Sequence, residues 1–246
     1  MIFDPETWSE KIRDPHWYMA VPAVMADLSK LHDIDRAAYE ETKDRIYAFF
    51  EEKLAAGEVA LGADGKDFDA ERLPIDMAVI HHTSNPPGMS KDRLSAIELV
   101  RLYAPQYAKP TYDADREVKG APIYSGHFRE EGGKRRQVFW PYHWFVRKNG
   151  EVERLLNDDE IGWHAGDWEI NRRSVAIAFD DDYEDSEPTA VEIEAAARIL
   201  REHYPQIKPE HIFGHCEVNE KRTCPGKLFL SVWKQKLLDA RMKRDD

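Results

Sequence analysis

Apolar residues fall into two rhythms along this chain. Between Asp35 and Gly57, Tyr39, Ile46, Phe50 and Leu54 recur at helical spacing, with Asp35 as a cap and Gly57 as a stop. Residues 1–72 are read as a helical N-terminal extension, closing in the loop or linker LGADGKDFDAERLP (61–74). From Asp76 the pattern changes. DMAVIHHT (76–83) and RSVAIAF (173–179) are short apolar runs of the length expected for buried strands, and SNPPG (84–88) ends the first. SKDRLSAIELVRLYA (90–104) predicts a helix capped by Ser90, with Leu94, Ile97, Val100 and Ala104 on one face. Residues 105–138, rich in Tyr, Gly and charge, predict a long irregular insertion.

The rest of the chain keeps alternating. YHWFVRKNGEVERLL (142–156) is two strand-like runs around Asn149-Gly150, a pair that suits a type I′ turn. TAVEIEAAARILREHY (189–204) predicts a helix with a Thr189/Glu192 capping box and Ile193, Ala196, Leu200 and Tyr204 on one face. HIF (211–213) is a short strand, and LFLSVWKQKLLDARMK (228–243) a terminal helix. Strands alternating with helices, with one antiparallel pair, predict an α/β fold: a central mixed β-sheet flanked by helices. It occupies residues 73–246, after the extension.

Charge narrows the function classes. The 246 residues carry a net charge of -12, which disfavours nucleic acid and gains nothing at an anionic membrane surface. The basic stretch GGKRRQ (132–137) is short and reads as a solvated loop. No run approaches the ~20 apolar residues of a membrane helix, so no membrane insertion is expected. The opening residues, MIFDPETWSEKIRDPHW, lack a basic start followed by an apolar run, so the chain is expected to be cytoplasmic as synthesised. Two cysteines, Cys216 and Cys224, do not make a disulfide framework.

Both cysteines lie in GHCEVNEKRTCPG (214–226). His215 and Cys224, with Pro225-Gly226 forcing a turn, are candidates to meet around a metal, and zinc suits imidazole with thiolate. A catalytic zinc needs a third protein ligand, and His81 or His82, at the end of the first apolar run, is the natural source.

Three segments in order carry a resemblance: VIHHTS (79–84), YHWFVRKNGEVERLL (142–156) with WHAG (163–166), and GHCEVNEKRTCPG (214–226). Together they resemble the type 2 N-acetylmuramoyl-L-alanine amidases, relatives of the peptidoglycan recognition proteins and of phage lysozymes that are amidases. The resemblance covers roughly residues 73–240. It implies Zn2+ held by His81, His215 and Cys224, with His82 supporting. It implies catalytic roles for Tyr142, which would place the water or shuttle a proton, and for Arg222, which would stabilise the oxyanion. Arg222 departs from the lysine or threonine common at that position. His164 is expected to shape the substrate groove, with Trp168 and Asn171 as further groove residues, and Cys216 to be a packing residue. The implied substrate is peptidoglycan or a soluble muropeptide, cut between N-acetylmuramic acid and L-alanine. Two other readings stand beside it: a recognition module that does not cleave, and a zinc hydrolase of another wall amide. Without a secretory signal, the wall would be reached by a phage-type or unencoded route.

Overall fold

A computed structural model describes residues 2–109 and 118–243. Helices α1 (Pro5–Lys11), α2 (Val21–Ile34) and α3 (Arg36–Ala56) come first, then strand β1 (Met77–His82). Helix α4 (Lys91–Glu98) runs through a π-helical turn (Leu99–Tyr103) into α5 (Ala104–Tyr107). Four strands follow: β2 (Phe128–Glu131), β3 (Lys134–Gln137), β4 (Trp144–Val146) and β5 (Val152–Arg154). Then come α6 (Trp168–Asn171), β6 (Ser174–Phe179), α7 (Ala190–His203), β7 (Ile212–Gly214) and α8 (His215–Val218). A second π-helical turn (Phe229–Trp233) leads into α9 (Lys234–Met242). Among the described residues no helix is long and apolar enough to cross a membrane.

The chain divides into two compact units. The first takes in the described residues up to Asp67 together with Ser90–Phe139; the second takes in Phe68–Met89 and the described residues from Trp140 onward. In the first unit, the Asp35 carboxylate accepts from the Ala38 N–H and starts α3, which ends at Gly57 in the left-handed region. Ile46, Phe50 and Leu54 are buried as the spacing predicts, with Phe50 against Trp17 (ring centroids 5.1 Å) and Trp8 (5.8 Å). Ser90 caps α4 through the Arg93 N–H, and its hydroxyl also donates to Glu51 on α3 (2.6 Å).

The predicted irregular insertion needs correcting. Residues 110–117 lie outside the described residues, but residues 104–107 continue the helix and β2 and β3 pair as an antiparallel hairpin. GGKRRQ is therefore a turn and a strand. Gly132 and Gly133 both take positive φ (58° and 76°), as a two-residue type I′ connection requires. The turn predicted at Asn149-Gly150 is different. Only Gly150 has positive φ (80°), Asn149 does not, and the Gly150 N–H donates to the Arg147 carbonyl (2.9 Å). This is a three-residue loop closing on a glycine bulge.

The second unit is built on a five-stranded sheet in the order β5-β4-β6-β1-β7, with β5 antiparallel and the other four parallel. The predicted mixed sheet flanked by helices is present. Its core joins Ala78, Ile80, Val175, Ile177 and Phe179 to Ile193, Ala196 and Leu200 of α7 and to Phe229, Trp233 and Leu237. Helix α7 starts with the predicted capping box of Thr189 and Glu192. Parallel strands bring their carboxyl ends to one edge, and ligands of such sheets bind there. β1 is flanked by β6 and β7, so its last residues emerge at the middle of that edge.

Candidate metal centre

Strand alternation separates the two adjacent histidines of β1. Ala78 and Ile80 face the core shared with α7, and His82 follows them. Its Nδ1 accepts from the Tyr183 N–H (2.8 Å), and its Nε2 lies 2.9 Å from the Ser84 hydroxyl. His81 projects to the other face and is 1% exposed. The register of β1 on β7 pairs Ile80 with Gly214, which brings His215, the first residue of α8, beside His81. Their ring centroids are 4.6 Å apart. The Gly214 N–H donates to Glu217 (2.8 Å), and Lys234 pairs with Glu217, which fixes the start of α8.

Cys224 arrives from the loop after α8. Its sulfur accepts from the His82 N–H (3.3 Å) and lies 3.7 Å from His81 Nδ1. Ligand atoms of His81, His215 and Cys224 all lie within 4.8 Å of one another, close enough to hold one metal ion. Cys216 is half-buried, and both cysteines are free thiols. The Cys216 N–H donates to the Cys224 carbonyl (2.7 Å), so the first cysteine supports the loop that carries the second.

Gly226 closes this loop. Its φ is 114°, and a Cβ there would lie 1.8 Å from the Tyr183 carbonyl oxygen. Only glycine lets Cys224 approach β1 in this way.

Burial sets the protonation states. It lowers the pKa of His81 well below the ordinary imidazole value, and the neighbouring His215, His164 and His82 act in the same direction. It lowers His215 to about 4, against the raising effect of its bond to the Ala165 carbonyl. The Cys224 thiol is pushed up to about 12, again chiefly by burial. Without an ion, the three groups are therefore neutral at pH 7.

Tyr142 immediately precedes the residue before β4 and is half-buried, its ring centroid 5.1 Å from that of His81. Arg222 is exposed in the turn before Cys224, and its charge contributes to the low pKa of His215. The three expected groove residues face inward. His164 is 7% exposed, with Nδ1 3.0 Å from His81 Nε2 and Nε2 3.0 Å from the Ser174 hydroxyl. Asn171 Oδ1 accepts from the backbone N–H groups of His164 (3.2 Å) and Ala165 (2.9 Å). Trp168 donates its indole N–H to Glu71 (2.6 Å) and packs edge-on against Phe68.

Sequence reasoning missed two contributors. Ser174 is fully buried at the start of an otherwise apolar strand, and that polar position was the available signal. Arg72, placed by the sequence in the extension, donates to the carbonyls of Asp158 (2.8 Å), Asn171 (3.0 Å) and Ser174 (3.0 Å). It thereby clamps the segment whose side chains reach His164.

Two imidazoles and a thiol converging at the carboxyl ends of the parallel strands define the class: an α/β protein with a centre able to hold a metal ion. The family model for N-acetylmuramoyl-L-alanine amidases matches residues 71–227, and the chain belongs to that family of enzymes. It is 25% identical over 173 residues to the 1,6-anhydro-N-acetylmuramyl-L-alanine amidase AmpD of Haemophilus influenzae, covering 66% of this chain and 83% of that one. Among solved structures, the amidase LysC from Clostridium intestinale URNW is 19% identical with a TM-score of 0.44, covering 72% of this chain and 91% of that one. The Drosophila peptidoglycan recognition protein SD is 21% identical with a TM-score of 0.38, covering 63% and 76%.

Proposed function

We propose that this chain is a zinc-dependent amidase that hydrolyses the bond between the lactyl group of N-acetylmuramic acid and the L-alanine of a peptidoglycan stem peptide. The observation that carries the reading is the convergence of His81, His215 and Cys224 within 4.8 Å, in a chain of the amidase family. Two imidazoles and a thiolate are a borderline donor set that suits zinc, and three protein ligands match a catalytic site. A thiol pushed up to about 12, chiefly by burial, is the kind of group that a divalent ion deprotonates. When bound, such an ion supplies Lewis acidity, making water more acidic and polarising a carbonyl.

The chain's own residues do the rest. His81 and His215 present neutral nitrogens, and the His82 N–H steadies the Cys224 sulfur. Tyr142, beside His81, orients the attacking water and passes a proton through its phenol. Arg222 brings positive charge toward the carbonyl oxygen as it becomes an oxyanion. Trp168 and Asn171 bear on the substrate groove through the segment that they hold.

The test combines metal analysis of the purified protein with mass spectrometry of digested peptidoglycan and of a soluble muropeptide. Release of intact stem peptides with a free L-alanine amine is expected. Unchanged substrate in the presence of bound zinc would favour a recognition module, and cleavage within the stem would reassign the bond.

A further inference from the structure

His81 and His215 lie far apart in sequence, yet their outer nitrogens meet two adjacent residues, His164 and Ala165. His215 Nε2 lies 3.2 Å from the Ala165 carbonyl oxygen. A carbonyl only accepts, so this nitrogen carries the proton and Nδ1 keeps its lone pair. His81 Nε2 lies 3.0 Å from Nδ1 of the adjacent residue, His164. On the inner side of His81, the Cys224 sulfur lies 3.7 Å from Nδ1. With Nδ1 facing that sulfur and left unprotonated as a ligand atom, Nε2 must donate. His164 Nδ1 then accepts, and His164 Nε2–H donates to the Ser174 hydroxyl (3.0 Å). With His81 Nδ1 as the ligand atom, the direction of each bond along His81, His164 and Ser174 follows.

The segment that provides both acceptors is held from below. Asn171 Oδ1 takes the N–H groups of both His164 and Ala165, and the Asn219 amide donates to the same Ala165 carbonyl (3.2 Å). Arg72 ties the carbonyls of Asn171 and Ser174 together through one guanidinium nitrogen. His164, Asn171 and Ser174 are all buried, at 7%, 5% and 0% exposure. Their polar atoms are therefore committed to one another rather than to solvent or to a ligand.

We propose that the His164–Ala165 segment, pinned by Asn171 and backed by Ser174, is a cradle that sets the tautomer and orientation of both histidine ligands. His164 is thus a positioning residue, acting through His81. The cradle leaves Nδ1 of both histidines unprotonated before any ion arrives, that of His81 beside the Cys224 sulfur. The His81 tautomer and the effect on metal affinity rest on the zinc reading; the His215 tautomer, fixed by a carbonyl, does not.

The experiment has two arms on the full chain. In the metal-free wild-type protein, long-range 1H–15N spectra of labelled histidines report which ring nitrogen is protonated. The cradle requires Nε2–H on both His81 and His215; a proton on Nδ1 of either overturns it. In the second arm, zinc affinity is measured by chelator competition for wild type, His164→Leu, His164→Asn and Ser174→Ala. Loss of such a partner weakens metal binding by about 10- to 100-fold. His164→Leu is expected to fall in that range. His164→Asn, whose Oδ1 can take the place of Nδ1 as acceptor, recovers most of the affinity, and Ser174→Ala falls between them. Wild-type affinity in His164→Leu overturns the proposal, as does a failure of asparagine to rescue in a variant whose unfolding temperature matches wild type. If wild type binds no zinc, the zinc reading fails, and the spectra alone decide whether the cradle exists.

Discussion

Gly226→Ala tests how tightly the Cys224 loop is seated. The added Cβ would lie 1.8 Å from the Tyr183 oxygen and 2.7 Å from its carbonyl carbon, both backbone atoms that no rotamer change can move. Holding a non-glycine residue at a φ of 114° costs roughly 1–3 kcal/mol. Forcing apart packed backbone costs a further ~1–3 kcal/mol. The central expectation is about 4 kcal/mol, a large share of the ~5–15 kcal/mol that holds a domain together. For a chain of this size that corresponds to a fall in Tm of about 8–16 °C. The displacement also has a direction. Either the Tyr183 N–H leaves His82 Nδ1, or the loop retreats and draws Cys224 away from His81. Calorimetry and zinc competition on the same samples should therefore both show a loss. A variant with wild-type Tm and wild-type zinc affinity would refute the claim that this loop has no slack.

Cys224→Ser removes one of three ligand atoms, so zinc and turnover should disappear together; retained zinc with full turnover would defeat the ligand assignment. Tyr142→Phe should keep zinc and lower kcat by about 100-fold or more, with little change in KM, as loss of a proton-transfer group does. Unchanged kcat would remove Tyr142 from the chemistry. Tyr204 is pushed up to about 12 by burial and by its bond to Asp158, above its ordinary value of 10.0. A raised folded pKa gives stability that is complete below pH 10 and is lost as pH rises toward about 12. Denaturant titrations of wild type and Tyr204→Phe should diverge in slope across that window; parallel curves would count against the assignment.

Local chemistry was legible where one residue decides the outcome. Asp35 and Gly57 bound α3, Thr189 and Glu192 start α7, and the apolar runs became β1 and β6. Alternation along β1 also gives a physical basis for the different surroundings of His81 and His82, which composition alone had left open. The misses share a cause. β3 carries Lys134, Arg135 and Arg136, and its arginines find partners on other elements: Arg135 sits over the Phe128 ring of β2 (3.6 Å), and Arg136 pairs with Asp92 of α4. No apolar alternation marks such a strand. Ser174 and Arg72 carry no local mark of the partners they hold, because those groups belong to residues 158, 164 and 171. Long-range hydrogen bonds leave no periodic trace.

The strand order has a consequence for how the protein comes into being. β1 is made before the other strands of its sheet, its neighbours β6 and β7 follow about 100 residues or more later, and Cys224 lies 143 positions beyond His81. At roughly 5–20 residues per second, ribosomes take about 7–30 s to cover that interval. His81 therefore waits on the ribosome as an unpartnered side chain. The centre can close only after the segment through Gly226 has been made, so a nascent chain carries no complete His81–His215–Cys224 cluster until then.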